Sequence, residues 1–99
     1  MNNKLRRLSY NQLVVLGSFL SASKKVLEVK VLESKSGLKG KSLGGVLSAL
    51  TRTKFRGVSL IEPVGRALDG QGLRWQLNDN VLDVTKAKKE VSSLLKSYE

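Results

Sequence analysis

The stretch Ser36-Gly37-Leu38-Lys39-Gly40-Lys41-Ser42-Leu43-Gly44-Gly45-Val46-Leu47-Ser48-Ala49-Leu50, at the centre of segment 28–56, decides how this chain is read. Leu43, Val46, Leu47 and Leu50 recur at i, i+3, i+4 and i+7, the spacing of one helical face. Gly37 stands ahead of them, where a chain can reverse because glycine takes positive φ at little cost. The segment predicts a helix over 28–36, a glycine turn, and a second helix over 41–53 entered through lysines.

Charge gathers on the same segment. The 99 residues carry 18 Lys and Arg against 8 Asp and Glu, a net charge of +10. Lys35, Lys39, Lys41, Arg52, Lys54 and Arg56 follow one another with no acidic residue between them. A surface made basic only for solubility interleaves the two signs. A concentrated positive field instead suits a polyanion: DNA, RNA or an anionic membrane.

Composition also removes function classes. With no cysteine and no histidine, a disulfide framework, the usual zinc sites and the commonest general base are all absent. No paired carboxylates or nucleophile–base arrangement stands out, so no catalytic residue, metal or cofactor is expected. Gly40-Lys41-Ser42 opens a helix as a P-loop does, but that motif needs a glycine where Lys35 stands. The apolar run Leu13-Val14-Val15-Leu16 is far shorter than the roughly 20 residues of a membrane span. A cytoplasmic protein with no membrane partner is expected.

Working outward, residues 1–8 read as a flexible basic arm with Lys4, Arg6 and Arg7, either a frayed terminus or an arm that reaches nucleic acid. Ser9 and Gln12 form a capping-box pattern, which opens a helix over 9–22 with Leu13, Leu16 and Leu20 inward. Val26-Leu27 suits a very short strand. Residues 58–77 read as a hairpin whose tip spans 65–72. Pro63, lacking an N–H, demands an unpaired edge there. Leu73, Trp75 and Leu77 alternate with Arg74 and Gln76, so Trp75 reads as core in preference to a base-stacking residue. A last helix over 84–98 carries an apolar stripe of Val84, Ala87, Val91, Leu94, Leu95 and Tyr98. That stripe either packs back on its own domain or pairs with a second copy as a homodimer.

The order helix, short strand, helix, glycine turn, helix, hairpin, helix resembles a winged helix-turn-helix domain of the bacterial and archaeal transcription-regulator type. Gly37-Leu38 matches the turn of that motif. Leu43, Leu47 and Leu50 match buried positions of its recognition helix, and Leu32 a core position of the helix before it. The resemblance covers about residues 9–77 and implies an α+β domain: a three-helix core, a β-hairpin wing and here an extra C-terminal helix. Two positions depart from the pattern. Glu33 stands where many such motifs carry a small residue, and Gly44-Gly45 stand where polar side chains often read bases.

The expected contact face comprises Lys39, Lys41, Ser42, Ser48, Thr51, Arg52 and Lys54, side chains suited to phosphate oxygens. Arginine can also bind guanine through two hydrogen bonds. Ser42 has a competing use as the cap of its own helix. By resemblance the wing adds Arg66, Gln71 and Arg74, with Asp69 opposing them in charge. Gly44-Gly45 read in two ways: a close approach of helix backbone to a phosphate or groove wall, or a structural cause, either tight packing on a neighbouring element or a helix that begins later than residue 41. The resemblance implies a non-catalytic double-stranded-DNA-binding protein, a transcriptional regulator whose recognition helix enters a major groove. A winged-helix module docking on an acidic protein, and a binder of structured RNA, are the alternatives.

Overall fold

In the computed structural model, which describes residues 5–22, 24–66 and 72–98, Ser9 caps helix α1 (Tyr10–Ser21). Its hydroxyl accepts from the Gln12 N–H at 3.2 Å while the Gln12 side chain accepts from the Ser9 N–H at 3.0 Å. Both bonds satisfy N–H groups that a helix start leaves orphaned. Leu13, Val15, Leu16, Phe19 and Leu20 are buried along α1. The expected loose arm is corrected over 5–8: Leu5 and Leu8 are core residues, joined by a Leu8 N–H to Leu5 carbonyl bond of 3.1 Å. Two leucines three apart bury together while Arg6 and Arg7 between them stay exposed. Residues 1–4, with Lys4, lie outside the described set.

A strand β1 (Val26–Glu28) runs straight into helix α2 (Val29–Ser36), which buries Leu32. Gly37 closes α2 in the left-handed region at φ 77°, its N–H donating to the Glu33 carbonyl at 2.9 Å. There the turn requires glycine, since a Cβ in that conformation meets the carbonyl beside it. Helix α3 (Gly40–Arg52) follows, and Leu43, Val46, Leu47 and Leu50 are its buried residues. At about 1.5–3 kcal/mol per buried aliphatic side chain, this face fixes α3 to the core.

Beyond α3 the chain departs from the expected single hairpin over 58–77. Val58 and Ser59 form β3 (Val58–Ser59), which pairs not with the later strand but with β2 (Lys54–Phe55). The larger hairpin begins only at β4 (Ile61–Arg66) and returns as β5 (Leu73–Leu77). The sheet order is β1-β5-β4, all antiparallel, so β5 is the middle strand. Leu27 and Pro63 both pair with Trp75, and Ile61 with Leu77. That register collects the inward face: Leu27, Ile61 and Leu77 are buried and Trp75 packs half-buried against them. Pro63 lies on an edge strand, and the register shifts between Pro63 and Arg66, a bulge on that edge.

Asn78 ends β5, and a 3-10 turn (Asp79–Val81) leads to helix α4 (Val84–Lys96). Asp83 caps α4, accepting from the Lys86 N–H at 3.1 Å. Helix α4 packs along α1 of its own domain, with Ala87 and Val91 buried. Past its end, Tyr98 meets Tyr10 edge to face, ring centres 5.2 Å apart. The result is an α+β domain of helices α1–α4 on a small antiparallel sheet.

Candidate nucleic-acid interface

Helix α3 separates two faces by a shift of two residues. Leu43, Val46, Leu47 and Leu50 point inward, and Lys41, Gly44, Gly45 and Ser48 repeat the same spacing two positions earlier, all exposed. Two residues turn a helix by about 200°, so the second set lies opposite the first. Arg52, one turn beyond Ser48, extends it and is also exposed. Of the expected contact residues, Lys41, Ser48 and Arg52 therefore share the outward stripe. Lys39 stands exposed at its N-terminal end.

The two glycines lie inside α3, and an added Cβ would meet nothing within 4 Å at either position. The tight-packing explanation is thus excluded among the described residues. Together they cost the helix on the order of 2 kcal/mol relative to alanine. The four buried side chains opposite outweigh that loss, but no contact of the fold makes use of it.

Ser42 is not the cap of α3. Lys39 occupies that position with no side-chain bond to the first turn, and Ser42 lies exposed within the helix. The helix start therefore presents N–H groups that no capping side chain covers. Thr51 is half-buried and donates its hydroxyl to the Leu47 carbonyl at 2.8 Å. It keeps only an acceptor for any ligand, so it ranks below Ser48 as a donor to phosphate.

The small β2–β3 hairpin follows Arg52 in sequence and carries basic residues of its own. Phe55 is buried, Lys54 and Arg56 are exposed, and Arg56-Gly57 forms the connecting turn. Both turn residues have positive φ, 56° and 81°, the condition of a type I′ turn. Among the described residues Arg56 is the one non-glycine with positive φ. An L side chain there costs roughly 1–2 kcal/mol, which asparagine or glycine would largely avoid. Sequence reasoning missed this hairpin. Its signal was a residue-plus-glycine pair between β-formers, masked because arginine holds the place that asparagine or aspartate normally takes.

The two remaining candidates sit elsewhere. Arg66 ends β4 and is exposed. Arg74 is half-buried on the middle strand, directly across from Glu28 of β1, with its Nε buried and unbonded. Its guanidinium instead lies against the edge strand, where a Cβ added at Gly65 would stand 3.4 Å from Arg74 Nη2. Gln71 and Asp69 lie outside the described residues, as does the rest of 67–71.

Among the described residues no helix is long and apolar enough to cross a membrane. Compared with family models, with curated proteins and with solved structures, the chain matches none of them.

Proposed function

We propose that this protein is a non-catalytic, winged helix-turn-helix DNA-binding module, a transcriptional regulator that docks the outward stripe of α3 against duplex DNA. The observation that carries the reading is that stripe. Lys41, Ser48 and Arg52 flank a bare Gly44-Gly45 backbone, in a segment with no carboxylate between Glu33 and Glu62. Lysine and arginine neutralise phosphates, and glycines let the helix axis come closer to the backbone of the nucleic acid than any side chain would. The β1-β5-β4 order and the α2–Gly37–α3 turn support the winged-helix part of the reading, with β4–β5 as the wing. Arg66 then joins the contact set and Arg74 leaves it.

Two glycines on the contact face leave few side chains to read bases, so affinity is mostly electrostatic and sequence preference modest. Anisotropy titrations with random duplex DNA test this. Binding should be tight at low salt and fall steeply as salt rises. Lys41→Ala should weaken binding to every sequence and lower the salt slope by about 1. No binding at low salt and micromolar protein would reassign α3 to an acidic protein partner. Preferential competition by structured RNA would reassign it to RNA shape.

A further inference from the structure

We propose that the Arg56-Gly57 turn is a second, fixed contact to the phosphate backbone of the same duplex, an inference that rests on the DNA reading above. The strands that carry the turn are held by the fold. Lys54 pairs with Ser59 and Phe55 with Val58, and buried Phe55 anchors the first strand. The Leu60 N–H donates to the Thr53 carbonyl at 2.8 Å, closing the base of the hairpin. Asn78 Nδ2 donates to the Ser59 carbonyl at 2.6 Å, tying the second strand to the end of β5. A tip fixed in this way needs no ordering when it meets a ligand.

Against that rigid frame the choice of residue stands out. Arg56 is exposed, holds a left-handed φ of 56°, and makes no ion pair among the described residues. Among the described residues no contact is gained by arginine there, whereas strain at an exposed tip is a feature of ligand-contacting sites. The guanidinium supplies five donors in a planar fork that matches phosphate oxygens. It stands four positions after Arg52, a span of at most about 14 Å. Arg56 therefore stays within reach of the Arg52 end of the α3 stripe. The duplex is gripped by α3 and this turn, one after the other in sequence.

Arg56→Gly separates contact from folding, because it relieves the backbone strain and removes the charge together. Thermal melting and anisotropy titrations of random duplex DNA over a range of salt would be read on wild type, Arg56→Gly, Arg56→Asn, Arg56→Lys and Lys41→Ala. Arg56→Gly should melt no lower than wild type, bind severalfold more weakly near 0.1 M salt, and show a slope shallower by about 1. Arg56→Asn, which tolerates the same φ, should repeat that loss, and Arg56→Lys should keep the slope. If Arg56→Gly and Arg56→Asn keep the wild-type affinity and slope while Lys41→Ala lowers them, the turn is no contact and the DNA reading stands. If wild type binds no duplex at low salt, both readings fall.

Discussion

Asn78 reaches back to Ser59 across the domain: its side-chain amide donates to the Ser59 carbonyl at 2.6 Å, while its own N–H donates to the Leu60 carbonyl at 2.9 Å. Asn78 is buried, so both bonds form out of water. One residue thus fastens the end of the sheet to the small hairpin beyond α3. Asn78→Ala leaves the Ser59 carbonyl without that donor and should cost about 1–3 kcal/mol in urea unfolding. A loss below a few tenths would mean that the amide bond is not holding the two parts together.

Gly44→Ala and Gly45→Ala each add a methyl to open space on a helix. Each should stabilise the protein by about 0.5–1 kcal/mol. On the DNA reading each should also weaken duplex binding, because the methyl holds the helix off the backbone. Stability and affinity would move in opposite directions in the same variant. Stabilisation with unchanged affinity would remove the glycines from the contact face.

Trp75 lies in the middle strand between Leu27 and Pro63, with its indole nitrogen buried. Its fluorescence should be blue-shifted and should change little when duplex DNA is added. Trp75→Ala should cost about 3 kcal/mol through the cavity it leaves. Strong quenching by DNA would place the ring at the interface instead.

Leu5 is wholly buried beside the core although basic residues surround it in sequence. Leu5→Ala should cost about 2–5 kcal/mol, where the same change in a loose arm would cost almost nothing. Urea unfolding distinguishes the two directly.

What the sequence made legible was local. The Ser9–Gln12 capping box, the leucine stripe of α3 and the Gly37 turn each depend on residues within one or two helical turns, and each stands within a residue of its expected position. What escaped depends on distant partners. The position of Arg74 opposite Glu28 follows from β5 inserting between β1 and β4, which no local pattern encodes. Asn78 carries no local signal because its acceptor lies far back in the chain. Leu5 and Leu8 were hidden by the arginines between them. On the candidate site, the exposure of Lys41, Ser48 and Arg52 was readable from helical spacing alone. The strained arginine of the second hairpin was not, because φ is a property of the turn and not of the residue.

The central position of β5 carries a consequence for how the chain folds. β1 and β4 touch each other nowhere in the sheet; each is completed only by β5, the last strand in sequence. Helices α1 and α3 can meet early through contacts closer in the chain, and β4 meets β5 through a short hairpin, but β1 must wait for a loop closure spanning about half of the chain. Until then β1 is unpaired, and both outer strands are blunted: β1 is only three residues long, and β4 carries Pro63 and a bulge. During synthesis, the strand that seals the sheet arrives after the surface proposed for DNA is already complete in sequence, and each half-sheet stays too short and irregular to recruit a neighbour.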